Sequence, residues 1–214
     1  MFKRLTQTLC ATALAWVVVT AGEVVKSPVQ ALDGTQQQML RVVNERINEL
    51  TNLRGDFVQI GPNGERSEGV FYIEKPGRMR FDYADPNPLL VVANGRWVGI
   101  SDMRERTTER YPLRTTPLKL ILGEDIDLDE DAIVRDVTFE DDLVTVVMEE
   151  RSGESIGQLA LMFDVIDFDL RQWVVTDAQG LQTSVALYNT VSGQKTDRMK
   201  FVIPDYDRID TGGN

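Results

Sequence analysis

Histidine is missing from this sequence altogether, and cysteine occurs once, at Cys10. That cysteine lies in an apolar stretch from about Leu9 to Ala21, which follows Lys3 and Arg4 and is followed by the small-residue pattern Val29-Gln30-Ala31. A basic start, a short apolar run and small residues at the cut make a secretory leader over residues 1–31, with residues 32–214 as a single domain. The run is short for an anchored span. An uncleaved anchor and an earlier cut after Gly22 are the competing readings. Thr8-Leu9 before Cys10 does not give the small residue that a lipoprotein cut requires, so Cys10 is read as part of the leader. Cleavage after Ala31 leaves a chain with neither histidine nor cysteine. Disulfides, cysteine-containing metal sites and histidine acid–base chemistry are excluded together.

Basic residues are also scarce, with 23 Lys+Arg against 34 Asp+Glu and a net charge of −11. Removing Lys3, Arg4, Lys26 and Glu23 with the leader leaves 20 basic and 33 acidic residues, a net charge of −13. Such a surface argues against nucleic acid and anionic bilayers as partners and favours steering by basic patches on another protein. There is no Gly-x-Ser-x-Gly elbow, no phosphate loop and no dinucleotide fingerprint. Carboxylates remain as the one abundant catalytic type. Asp82 with Asp102, or Glu149 with Asp164, can be nominated as a pair, but nothing in their spacing favours a cleft. The chain is expected not to be an enzyme and to need no cofactor or metal.

What is present is strand after strand. Residues 35–52 read as a helix with Met39, Val42, Val43, Ile47 and Leu50 on one face. From Leu53 the pattern turns to period two, clearest where Arg78, Arg80 and Asp82 alternate with Met79, Phe81 and Tyr83. Gly61-Pro62-Asn63-Gly64 and Asn94-Gly95 supply tight turns. Thr116-Pro117 and Gly123 bracket a short apolar helix over 115–122. The acidic stretch 124–131 reads as a solvated loop, since it lacks the glycine and terminal glutamate of a calcium loop. Strands resume near Val134 and continue to Thr190, for ten or eleven in all. Paired in sequence order they give a mainly β, α+β fold: a curved antiparallel half-barrel whose concave face is covered by the two helices.

The strands carry large apolar side chains, among them Phe57, Phe71, Ile73, Met79, Phe81, Tyr83, Leu90, Val92 and Trp97. Any one of these suits an ordinary core. Taken as a set under only two helices, they also suit an incompletely filled apolar wall able to take an acyl chain. On that expectation, a glutamate at Phe81 or Leu118 weakens acyl binding and leaves the fold largely intact.

Three blocks go further: Leu53-Arg54-Gly55-Asp56-Phe57-Val58-Gln59, the run from Gly69 to Tyr83 through Lys75-Pro76-Gly77, and Pro88-Leu89-Leu90-Val91-Val92-Ala93-Asn94-Gly95. In order and spacing they closely resemble the N-terminal half of the LolA family. Thr116-Pro117-Leu118-Lys119-Leu120-Ile121-Leu122 looks like that family's apolar lid helix, and Trp173 to Gly180 resembles a later hairpin. The resemblance implies an incomplete barrel closed by a lid at Pro117, Leu118, Leu120, Ile121 and Leu122, with a cationic residue before a strand-end proline, here Lys75, controlling that lid. Arginine is frequent at this position, and lysine keeps the charge without the planar fork. Met79 falls where some members line the mouth. The resemblance further implies a monomeric periplasmic carrier that takes acylated lipoproteins from an inner-membrane lipoprotein-releasing transporter to an outer-membrane acceptor. The alternative within the same half-barrel is a lipid- or lipoprotein-sensing regulatory domain. Such sensors usually add a second domain, which this chain is not expected to carry.

Overall fold

Asp33 starts the first helix: its carboxylate accepts the Gln36 N–H, and the Gln36 side chain accepts the Asp33 N–H in return. This reciprocal cap satisfies two of the amides a helix start leaves open. The computed structural model describes residues 31–154 and 157–206, so all of the expected leader 1–31 except Ala31 lies outside the described residues. Helix α1 spans Gly34–Glu49 and buries Leu40, Val43 and Ile47. It ends earlier than the periodicity suggested because Asn52 already pairs with Glu74 in the sheet. Its buried stripe is also turned, with Leu40 replacing Val42 at the centre and Met39 and Leu50 packing at the margin.

Eleven strands follow: β1 (Asn52–Ile60), β2 (Arg66–Glu74), β3 (Arg78–Tyr83), β4 (Leu89–Asn94), β5 (Trp97–Asp102), β6 (Thr107–Pro112), β7 (Ala132–Glu140), β8 (Leu143–Glu150), β9 (Gln158–Asp164), β10 (Leu170–Thr176) and β11 (Gln182–Ser192). They form one antiparallel sheet in the order β6-β5-β4-β3-β2-β1-β11-β10-β9-β8-β7. Pairing purely in sequence order therefore fails at one place. β6 and β7 become the two edges of the sheet, while the first and last strands join in its middle. Residues 113–131 run from one edge to the other, and their apolar side chains are buried in the core. A segment committed to the interior cannot also serve as a hairpin turn.

Alternation sorts the strands into two faces. Phe57, Phe71, Ile73, Met79, Phe81, Val98, Val146, Leu161 and Trp173 share one continuous cluster with α1. Leu90 and Val92 belong to a second, smaller cluster with Phe201 and Ile203, against which Tyr72 and Trp97 pack. This second cluster lies on the opposite face of the sheet, under a C-terminal segment that begins with a single 3-10 turn over Arg198–Phe201. Arg80 donates to the Lys200 carbonyl at 2.8 Å, the Lys200 ammonium sits 4.3 Å from the Tyr72 ring centre, and Arg110 donates to the Pro204 carbonyl at 3.1 Å. Gly99 makes room for the segment: a Cβ there would stand 2.4 Å from Ile203.

Candidate functional site

The concave face is walled by rings. Phe57 meets Phe81 edge-on at 4.7 Å between centroids and Tyr83 at 5.0 Å, while Phe81 stacks on Phe71 at 5.7 Å and meets Trp173 at 5.8 Å. Edge-to-face pairs at these distances add about 0.5–1.5 kcal/mol beyond area burial. Tyr83 donates its hydroxyl to Gln59 Oε1 at 2.7 Å, and burial pushes its hydroxyl up to about 12 against that hydrogen bond. Six of the nine expected wall residues, Phe57, Phe71, Ile73, Met79, Phe81 and Tyr83, thus meet on this face. Leu90, Val92 and Trp97 do not: they have the other parity and face the C-terminal segment. Their places toward the interior are taken by Val91, Ala93 and Val98.

The helix expected to serve as a lid is shorter than expected and set deeper. Thr116 is extended, as a residue before proline tends to be. The expected helix over 115–122 is therefore split into a 3-10 turn at Leu113–Thr115 and one helical turn, α2, at Lys119–Leu122. Leu120, Ile121 and Leu122 are 1%, 3% and 1% exposed and join the same cluster as the aromatic wall, with Leu118 packed at its edge. These side chains fill the concave face beside the aromatic wall.

The stretch after it is not the solvated loop its charge suggested. Ile126 and Leu128 are buried, and a further helical turn, α3, covers Leu128–Asp131. Two asparagines one turn apart on α1 clip this segment down. Asn48 donates to the Ile126 carbonyl at 2.7 Å and accepts its N–H at 2.9 Å, and Asn44 accepts the Leu128 N–H at 2.9 Å.

Polar contacts fasten α2 at both ends. The Gly77 N–H donates to the Leu122 carbonyl at 2.7 Å. The Lys119 ammonium pairs at 2.7 Å with Glu150, whose side chain is only 3% exposed. Burial raises the Glu150 carboxyl, but hydrogen bonds from Lys119 and Ser152 outweigh it and hold it down at about 2. Lys75, expected to control the lid, donates to the Ile47 carbonyl near the end of α1 at 2.8 Å. Burial lowers its ammonium to about 8, with Asp125 acting in the opposite direction. Its bond thus holds α1, and Gly77, two residues on, holds α2.

Glu150 and the asparagine clip escaped the sequence reading, although both left a signal. Val144, Val146, Met148 and Glu150 share one parity, which puts an acid where an apolar residue is due. Asn44 and Asn48 stand one turn apart beside the apolar stripe. The nominated acid pairs are engaged elsewhere: Asp82 holds Arg80 at 2.6 Å, Asp102 accepts two turn amides, Asp164 holds Arg171 at 2.9 Å, and Glu149 holds Arg135 at 2.7 Å.

The family model described as outer membrane lipoprotein carrier protein LolA matches residues 48–204. An outer-membrane lipoprotein carrier protein of Methylococcus capsulatus is 26% identical over 117 residues, covering 50% of this chain and 56% of that protein. A protein of the same name from Dechloromonas aromatica is 24% identical over 152 residues, covering 67% of this chain and 72% of its own. The chain thus spans little more than half the length of the first of these relatives. A crystal structure of a LolA superfamily protein from Nitrosomonas europaea superposes with a TM-score of 0.42 at 8% identity, covering 76% of this chain and 97% of that one. With the family model matching well over half of its residues, the chain belongs to the LolA family of outer membrane lipoprotein carrier proteins.

Proposed function

We propose that this chain is a periplasmic, monomeric, non-enzymatic carrier. It takes acylated lipoproteins from an inner-membrane releasing transporter, shields their acyl chains on the concave face and yields them to an outer-membrane acceptor. The observation that carries this reading is the lid itself. A single helical turn presents Leu120, Ile121 and Leu122 to an aromatic wall and is tied there by few polar contacts. An apolar plug of this kind can be exchanged for another apolar group without leaving the wall exposed to water.

The magnitudes suit exchange. Burial of the three lid side chains is worth about 1.5–3 kcal/mol each, or roughly 5–9 kcal/mol together. A fully enclosed palmitoyl chain is worth about 12 kcal/mol at about 0.8 kcal/mol per methylene. The first chain to enter therefore gains only a few kcal/mol over the lid it displaces, before the entropy of association is subtracted. Cargo with several chains displaces the lid once and is held more tightly. Because the driving force is non-directional, chain length and saturation matter little beyond area.

The test uses purified mature protein with a fluorescent fatty acid and a triacylated lipopeptide. Both are expected to bind, the lipopeptide more tightly. Mass spectrometry of protein taken from the periplasm is expected to find acylated lipoproteins. Binding of neither probe would overturn the reading.

A further inference from the structure

Where the β4–β5 hairpin meets the start of the crossing segment 113–131, a pocket of about 380 Å³ opens. This is within the size range of small-molecule sites. Arg96, Arg114 and Lys119 line it, and none of its lining residues is acidic. In a chain of net charge −11 this gathers one sign, the scarcer one, in a small space. A neighbouring groove that shares Trp97 shows the ordinary arrangement, with Arg110 set against Asp205 at 3.5 Å.

The three cations are not equally committed. Lys119 pairs with Glu150 at 2.7 Å and Arg114 with Glu154 at 3.2 Å, and both acids stand outside the pocket lining. The Arg114 pair is exposed on both sides, and such pairs contribute little. Arg96 has no carboxylate partner and no side-chain hydrogen bond among the described residues. Its guanidinium lies 5.9 Å from the Trp97 ring centre, which leaves its fork of N–H donors to an incoming oxyanion. A carboxylate brings one charge on two oxygens. A phosphate monoester brings nearly two on three, and so makes fuller use of Arg96 with Arg114 and Lys119 beside it.

The remaining wall is apolar, built by Trp97, Pro112 and Leu113. Leu113 is also a member of the cluster that contains the aromatic wall and α2. The pocket therefore joins a cationic side to the same apolar surface that lines the concave face. Inorganic phosphate gains nothing from such a wall, whereas an amphiphile buries part of its chain on it.

We propose that this pocket is a headgroup subsite for a phosphorylated glycerol lipid, with the phosphate ester held by Arg96 and flanked by Arg114 and Lys119, and the start of the acyl chain lying on Leu113. The proposal rests on the carrier reading for the acyl chain. It adds a headgroup preference, centred on Arg96, that the carrier reading does not require.

The test measures, by calorimetry below the micelle concentration, the affinities of palmitoyl lysophosphatidate and monopalmitoylglycerol. The two share chain and glycerol and differ in the phosphate. The native protein is expected to bind the phosphate ester about tenfold more tightly, the yield of one charge-assisted contact. Because the net charge of the chain opposes anions, such a preference has to arise locally. Arg96→Met, at an exposed position, is expected to keep a native circular dichroism spectrum and to bring the two affinities together. Lys195→Met, at an exposed position outside the pocket, is expected to leave the preference as it is. Inorganic phosphate is expected to bind far more weakly than the lipid. No preference in the native protein, a preference that survives in Arg96→Met, or an equal loss in Lys195→Met each overturns the subsite. Inorganic phosphate binding as tightly as the lipid overturns the lipid assignment, and a hexaglutamate peptide that displaces the lipid at equal affinity overturns it in favour of an acidic protein partner. If a triacylated lipopeptide still binds when the preference is absent, only the subsite is lost. If neither the lipopeptide nor a fluorescent fatty acid binds, the carrier reading itself goes.

Discussion

The ion pair between Lys119 and Glu150 gives the most direct handle on the lid. Lys119→Met keeps the length and apolar stem of the side chain and removes only the charge. Glu150, 3% exposed, then keeps the Ser152 hydroxyl at 2.7 Å and the Ser152 N–H at 3.0 Å but loses the ammonium at 2.7 Å. A carboxyl held at about 2 in place of its ordinary 4.5 favours its ionised form by about 3 kcal/mol. Ser152 supplies part of that preference, so Lys119 is assigned about 2 kcal/mol. Lys119→Met is therefore expected to lower the urea midpoint by the equivalent of about 2 kcal/mol at unchanged slope. The double variant Lys119→Met with Glu150→Leu should return to within about 1 kcal/mol of the native protein, because an apolar pair has no desolvated charge left to compensate. If the pair forms only with the lid in place, the single variant also takes up a fluorescent fatty acid about thirtyfold faster. Glu150 is depressed in the folded state, so its stabilisation is present above about 4.5 and is lost as pH falls toward about 2. The acid limb of Lys119→Met is correspondingly flatter. A single variant within about 0.5 kcal/mol of the native protein, or a double variant no better than the single, would refute the assignment.

Other substitutions probe the remaining contacts. Lys75 is lowered to about 8 from 10.5, so the unfolded chain binds more protons between those values and stability should rise with pH across that window. Melting temperatures taken from pH 8 to just below 10 are expected to show the rise in the native protein and not in Lys75→Met; the scan stops there because Tyr83, raised to about 12, acts in the opposite sense above 10. Leu118→Glu, at the partly buried edge of the lid, should weaken fatty-acid binding at least about tenfold with a small change in melting temperature. Phe81→Glu should unfold the protein instead, since Phe81 is 3% exposed and touches three other rings; a native circular dichroism spectrum from that variant would contradict the packing. Gly99→Val should drive Ile203 off the sheet at a cost of about 1–3 kcal/mol and speed tryptic cutting at Arg198 and Lys200. An unchanged digestion pattern would mean that the C-terminal segment is not seated there.

The half-barrel was legible because its signal is local and repeated. Alternation along Arg78–Tyr83 marks a strand with one buried face wherever it occurs, and Asn94-Gly95 marks a turn without reference to any partner. Alternation alone, however, does not say which of two faces is inner when both are covered. Leu90, Val92 and Trp97 were assigned to the wall because they are apolar, and they are apolar because the C-terminal segment lies over them. The sequence of that segment, Arg198-Met199-Lys200-Phe201, carries no periodicity that would announce a covering role. Tyr72, Arg80 and Arg110 hold it through contacts that span more than ninety positions. The closing pair β1–β11 is equally non-local, and it displaced the nearest-neighbour pairing at the one point where residues 113–131 were needed inside.

The lid shows the same limit within a few residues. Pro117 and Gly123 announced a helix, and proline's effect on Thr116 cut it to a single turn. What such a short helix lacks in internal hydrogen bonds must come from tertiary contacts, since isolated turns are unstable in water. In this chain those contacts are the apolar wall, the Gly77 N–H, and a lysine facing a buried glutamate. On the proposed carrier function the wall is offered to acyl chains in exchange, whereas the ion pair has no apolar substitute and must be broken for the helix to leave. On the carrier reading, release of this single helical turn therefore requires both an apolar replacement for the area it covers and the breaking of its ion pair.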